Sequence, residues 1–309
     1  MIAFCFLTYD EIVNYPIWET YFSEVDPSEY VLLCNPKVCN KIVHQPIFYN
    51  KIIRNRVINT EWGKFSLLVA QNELFRSALE EPSVRFIVLV SHNSIPVQPF
   101  AQFKAYLHEC NSSIISRNII PLHGNRYFSI NRPIFPQGEF YSMSQWHVLQ
   151  RRDAEFLVRD FITIKEIFGA MIIPDEHVYI NYLLHYRKCT DIKFSDICHV
   201  SWRQSSRNRT NEKSVGVFER GVEIFTALSD DFLDRIIKEN KFFLRKITAH
   251  ARINPKYLLE ARGLQGTQGT RAITEIKGTK AIKAITEIKE EEEINFILLN
   301  KDRPILQYK

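Results

Sequence analysis

The run Ile2-Ala-Phe-Cys-Phe-Leu-Thr8 decides the fold class. It is apolar until Thr8 and stops against Tyr9-Asp-Glu11. A strand with one wet face alternates apolar and polar residues, whereas a strand covered on both faces reads as a short continuous apolar run. Tyr30–Cys34 and Phe86–Ser91 repeat that pattern. Between them, Phe65, Leu68, Val69, Asn72, Phe75 and Leu79 fall near helical spacing and predict an amphipathic helix over Lys64–Leu79. Strands separated by helices predict an α/β layer fold with a mixed, mostly parallel sheet flanked by helices. Ligands of such sheets sit beyond the carboxyl ends of the strands. Those ends are Thr8-Tyr-Asp10, Asn35-Pro-Lys37 and Ser91-His-Asn-Ser94.

The bulk composition agrees with a folded globule. Hydrophobic residues make up 45% of the 309 positions, with 13 Tyr, 22 Phe and 4 Trp, which is too apolar for a disordered chain. The net charge of +5 is small and spread through the chain, so it suits an anionic small ligand and does not single out nucleic acid. No stretch is apolar for long enough to span a membrane, and the opening run lacks the basic flank and cleavage site of a secretory signal. The six cysteines form no CxxC pair, so reduced thiols are expected and neither disulfides nor a zinc site is. The sequons Asn111-Ser-Ser113 and Asn208-Arg-Thr210 carry little weight without a secretory signal.

Further along, Tyr141-Ser-Met-Ser-Gln-Trp-His-Val-Leu-Gln150 reads as a strand running into a polar helix start. A helix over Arg151–Phe161 is expected next, then one from Pro174 to Arg187 with Asp175 and Glu176 at its mouth. Arg203–Lys213 reads as an exposed basic loop, Asp230–Asn240 as a helix, and Lys241–Ile247 as a strand. After about residue 260 the texture changes: Ala272-Ile-Thr-Glu-Ile-Lys277 recurs as Ala284–Lys289, followed by Glu290–Glu293. Two copies are too few for a solenoid. The expected organisation is one domain over 1–255 and a tail over 256–309 lying outside its core.

Several segments occur in an order that resembles a known family. They are Ile2–Thr8, Pro16-Ile-Trp18 with Phe22, Tyr30–Cys34, Thr60-Glu-Trp-Gly63, Arg85–Pro96 with Phe100 and Tyr106-Leu107, Ser144-Gln-Trp146, Pro174-Asp-Glu-His177 and Phe243-Leu-Arg-Lys-Ile247. Together, over roughly residues 2–247, they resemble the Core-2/I-branching β-1,6-N-acetylglucosaminyltransferases. The resemblance implies a GT-A-like, Rossmann-like fold and an inverting transfer from a UDP-sugar to a glycan hydroxyl without a metal. UDP-GlcNAc is the usual donor and UDP-xylose the donor of related branches. The chain contains no Asp-x-Asp motif, the usual metal holder of such folds. No cofactor is therefore expected, and the expected partners are a UDP-sugar and a glycan or glycoprotein acceptor, with no nucleic acid. Oligomeric state is left open. Family members commonly sit in the Golgi lumen behind an N-terminal anchor; with neither signal nor anchor in view, a cytoplasmic, microbial or virus-encoded enzyme is expected instead.

By resemblance Glu176 is the base that takes the acceptor's proton. Pro174-Asp-Glu is also an ordinary helix start, where a carboxylate is favoured by the helix dipole. Lys246, with Arg245 beside it, takes the role of neutralising the departing diphosphate, and Arg220 is the candidate for a second upstream cation. A solvated surface cation is the plain alternative for Lys246. Thr8 and Asn35 are placed to contact the nucleotide, although the family often has an acidic residue or His where Asn35 stands. Trp146 could wall a sugar or be core, Ser91 and Asn93 could bind sugar hydroxyls or cap a turn, and Asp175 is a cap or support for Glu176. A second functional reading keeps the fold as a catalytically inactive glycan-binding protein.

Overall fold

The structure is a computed structural model that describes residues 1–53, 56–119, 135, 139–188, 190–202, 215–219, 221–249, 251, 253–254 and 256–259. In chain order the elements begin with β1 (Ile2–Thr8), α1 (Tyr15–Phe22), β2 (Tyr30–Pro36), α2 (Ser66–Leu79), β3 (Phe86–Ser91), β4 (Ile95–Pro96) and α3 (Phe100–Cys110). They continue with β5 (Asn118–Ile119), β6 (Tyr141–Ser142), β7 (Val148–Gln150), α4 (Arg151–Arg159), α5 (Phe161–Phe168) and α6 (Val178–His185). The last are β8 (Cys198–Val200), β9 (Val215–Glu219), β10 (Val222–Ala227), α7 (Asp230–Lys238), β11 (Phe243–Arg245) and α8 (Lys256–Leu259).

The main sheet runs β2-β1-β3-β7. β1 pairs in parallel with both β2 and β3, and β7 closes the edge antiparallel to β3. This is the mixed, mostly parallel α/β sheet expected from the continuous apolar runs. All seven residues of β1 are buried, and each large side chain so covered contributes roughly 1.5–3 kcal/mol. A smaller sheet runs β4-β11-β8, with β11 parallel to β8 and antiparallel to β4. Aromatic packing joins the two sheets. The Phe243 ring stacks on Trp18 at 5.9 Å and meets Phe4 edge-on at 6.4 Å, while the Trp18 indole N–H donates to the Ser94 carbonyl at 3.0 Å.

Four details depart from the sequence expectations. The helix expected over Arg151–Phe161 is two helices, broken at Asp160 (φ −92°, ψ 11°), whose carboxylate accepts from Arg159 and from the Tyr182 hydroxyl. The segment Tyr141–Gln150 is not one strand: β6 pairs with β5, β7 pairs with β3, and Trp146 lies between them. Pro174–Glu176 is a 3-10 turn and α6 begins only at Val178, so Glu176 precedes the helix rather than sitting in its first turn. Finally, the domain does not end at residue 255: Tyr257 of α8 is buried against the cluster of Ile95, Phe225, Phe232 and Leu244. Met1–Ala261 forms one unit, and beyond α8 the expected tail lies outside the described residues, as does the basic loop 203–213. Among the described residues no helix is long and apolar enough to cross a membrane.

Candidate active site

Parallel register places the carboxyl ends of β1, β2 and β3 on one edge, with Thr8 beside Pro36 and Leu7 beside Ser91. Three backbone bonds gather the following segments there. His92 N–H donates to the Leu7 carbonyl (3.1 Å), Val13 N–H to the His92 carbonyl (2.8 Å), and Ile247 N–H to the Asn93 carbonyl (3.0 Å). The last of these ties the end of β11, and hence Arg245 and Lys246, to the end of β3.

Arg245 is the hub. Its Nε donates to Ser91 Oγ at 3.2 Å, and its guanidinium lies 4.5 Å from the centre of the Trp146 ring. Ser91 Oγ in turn donates to Asn93 Oδ1 at 2.7 Å and shares a hydrogen bond with Ser94 Oγ at 2.8 Å. Burial pushes the guanidinium down to about 10, opposed by the buried Cys198 thiol and by the negative charge of Glu176. At neutral pH it remains a cation, partly stripped of water, where its field is stronger than on the surface.

Glu176 comes to the same place from a distant segment. Its carbonyl accepts the Met143 N–H at 2.8 Å, its N–H donates to the Ile173 carbonyl at 3.3 Å, and its charge is felt by Arg245. The carboxylate is half-buried at the end of the 3-10 turn. Ile173, just ahead of that turn, has φ +54°. A β-branched residue in the left-handed region is an outlier that costs about 1–3 kcal/mol.

Lys246 is half-buried beside His92. Burial, then Arg245 and Lys246, lower the His92 imidazole to about 4, against the smaller pull of Glu11 and the Leu7 carbonyl. His92 is therefore neutral at physiological pH, a group held between two cations and one carboxylate. The sequence reading passed over it; its only signal was position, at the carboxyl end of an apolar strand.

The other predicted residues divide. Thr8 is buried, and its hydroxyl has no hydrogen-bond partner among the described residues. Such an orphaned group calls for water or a ligand. Asn35 is committed elsewhere: its amide N–H donates to the Ile58 carbonyl (3.1 Å) and its oxygen accepts the Ile58 N–H (2.8 Å). A nucleotide contact from Asn35 would compete with both bonds. Trp146 is buried and serves as the floor under Arg245. Asp175 is buried behind the turn, where its charge adds to burial in raising the Tyr179 phenol. His177 is also buried, stacked on Phe140 at 5.6 Å. Arg220 lies outside the described residues. The structure thus brings Glu176, Arg245, Lys246, Trp146, Ser91 and Asn93 to one edge and commits the Asn35 amide to the Ile58 backbone. Among the described residues no group of three or more His, Cys, Asp or Glu is placed to hold a metal ion.

Residues 2–229 match the profile of the Core-2/I-Branching enzyme family. The chain belongs to that family. Glu176 lies within the matched region, whereas Arg245 and Lys246 lie beyond it, so their place in the site rests on the bonds that tie β11 to Ser91 and Asn93. A family relative, glycosyltransferase BC10 of Oryza sativa subsp. japonica, is 24% identical over 234 residues, covering 66% of this chain and 58% of its own length. The chain thus spans little more than half of that protein. Among solved structures, the bifunctional glycosyltransferase WbbM in its apo form is similar at 7% identity and TM-score 0.37, over 79% of this chain and 45% of that one. A197 from STIV is similar at 14% identity and TM-score 0.25, over 50% and 68% of the respective chains.

Proposed function

We propose that this family member transfers a sugar from a UDP-sugar to a hydroxyl of a glycan or glycoprotein, with inversion and without a metal ion. The observation that carries this reading is the convergence of Glu176 with Arg245 at the carboxyl edge of the sheet, on segments far apart in sequence. Inverting transfer needs a base on the acceptor side and positive charge on the leaving-group side. Glu176 takes the proton of the acceptor hydroxyl as its oxygen attacks the anomeric carbon from the face opposite UDP. The bond from that carbon to the diphosphate breaks, and the electron pair leaves with UDP. Arg245 and Lys246 receive the developing charge, as preorganised cations do in a water-poor site. A positioned base contributes on the order of 10²–10⁴ in rate. GlcNAc is the donor sugar supported by the family; UDP-xylose or another UDP-hexose is the alternative within the same mechanism.

UDP release from a panel of UDP-sugars in EDTA, wild type beside Glu176→Gln, tests the reading. Turnover without metal that falls at least a hundredfold in Glu176→Gln, as loss of a base of that strength requires, supports it and identifies the donor. Turnover only with added manganese removes the roles of Arg245 and Lys246 as the metal's replacement. Glycan binding with no turnover of any UDP-sugar favours the inactive glycan-binding reading.

A further inference from the structure

The turn that presents Glu176 is held by a contact with no part in the chemistry just described. Ile173 stands immediately before Pro174 with φ +54° and ψ 55°. Both features disfavour that conformation: a β-branched side chain is crowded at positive φ, and a residue before proline is steered toward extended backbone. Something must force it. Its N–H donates to the Gly63 carbonyl at 3.0 Å. Gly63 itself has φ +71° and lies so close that a Cβ added there would meet Ile173 Cγ1 at 3.5 Å. The Trp62-Gly63 turn therefore holds Ile173 by its backbone N–H, with the Ile173 side chain lying close to the glycine.

From Ile173 the chain has little freedom before Glu176. Pro174 fixes its own φ, Glu176 N–H donates back to the Ile173 carbonyl at 3.3 Å, and His177 N–H donates to the Pro174 carbonyl at 3.1 Å. On the far side the Glu176 carbonyl is held by Met143 N–H at 2.8 Å. That neighbouring segment leads to Trp146, under Arg245. The backbone that carries the carboxylate is thus held between two anchors, one on the segment ahead of α2 and one on the segment that carries the cation's floor.

We propose that Gly63 and Ile173 are positioning residues, a clamp whose strained conformation sets the direction of the Glu176 carboxylate toward the acceptor hydroxyl. This rests on Glu176 acting as the base. A glycine at 173 would adopt the same φ without strain and would also populate many others. The present isoleucine, once forced into place, has few alternatives. The clamp trades local comfort for a single orientation, which is where strain is found at reaction centres.

The test compares Ile173→Gly, Ile173→Asn and Glu176→Gln in the full chain, by steady-state sugar transfer and thermal melting. Relief of strain offsets the lost side-chain packing, so Ile173→Gly is expected to melt near the wild-type temperature. Its kcat is expected to fall roughly tenfold to a hundredfold, since small misplacements of a reacting group have that effect, while the donor KM stays unchanged. Ile173→Asn, which accepts the left-handed region with fewer alternatives than glycine, is expected to recover part of kcat. Wild-type kcat in Ile173→Gly, with Glu176→Gln inactive, overturns the clamp alone. A kcat loss that merely tracks a lowered melting temperature also overturns it. Full turnover by Glu176→Gln overturns the base assignment and the clamp with it.

Discussion

Replacing Arg245 with lysine keeps a formal cation at the site but removes two features that depend on the guanidinium. The first is the Nε–H bond to Ser91 Oγ at 3.2 Å, and the second is the planar contact with the Trp146 ring at 4.5 Å. A hydrogen bond from a charged donor contributes about 1.5–3 kcal/mol and a cation–π contact about 0.5–1 kcal/mol. Both contacts exist before substrate arrives, so their combined loss of roughly 2–4 kcal/mol acts by misplacing the cation, and donor kcat/KM is expected to fall on the order of tenfold to a hundredfold at neutral pH. The environment adds a second, more specific signature. Burial lowers the guanidinium well below its ordinary value, to about 10. The same burial also lowers an ammonium, whose ordinary value of about 10.4 already lies below that of a guanidinium. The useful charge exists below the pKa and disappears as pH rises through it. Donor kcat/KM of Arg245→Lys should therefore begin to fall at a lower pH than that of the wild type. The assay is UDP release at subsaturating donor from pH 6 to pH 9.5. Parallel alkaline limbs for the two proteins, or wild-type activity in Arg245→Met, would refute the placement of this cation at the leaving group.

Two further outcomes follow from the buried polar groups. Asn35→Ala should lower stability by about 2 kcal/mol in urea unfolding, through loss of its two amide bonds to Ile58, with UDP affinity unchanged in titration calorimetry; weakened UDP binding at full stability would restore Asn35 to the nucleotide site. Burial lowers the fully buried His147 to about 4 from an ordinary value of 6.5. The unfolded chain therefore binds the extra proton between those values, so stability is complete above about pH 6.5 and declines as pH falls toward 4. Urea midpoints from pH 7 to pH 4.5 should drop less steeply in His147→Gln than in wild type, with His92 and His199, both also lowered to about 4, supplying the residual slope. An identical slope in the two proteins would refute the assignment.

Much of the framework was legible from local pattern. The continuous apolar runs marked β1, β2 and β3, and the helical spacing of Phe65 to Leu79 marked α2 to within two residues at its start. The break at Asp160 was not legible: no Gly or Pro marks it, and the Tyr182 hydroxyl that bonds its carboxylate comes from a distant helix. Nor was the split of Tyr141–Gln150 between two sheets, since apolar alternation records burial but not which neighbour provides it.

The site shows the same division. The family resemblance nominated Glu176, Arg245 and Lys246, with Trp146 and Ser91 as softer candidates, and the strand pattern located the edge of the sheet at which they meet. It assigned Asn35 to the nucleotide, because a polar residue at a strand end has that appearance until its partners are known. Only the tertiary structure showed the Ile58 backbone occupying that amide, His92 kept neutral by burial and by Arg245 and Lys246, and Ile173 at positive φ with its N–H bonded to the Gly63 carbonyl. Periodicity and apolarity are properties of neighbouring residues and survive in one dimension. Charge state, hydrogen-bond commitment and backbone strain depend on groups brought together from distant parts of the chain and on the water they exclude, and these exist only once the chain has folded.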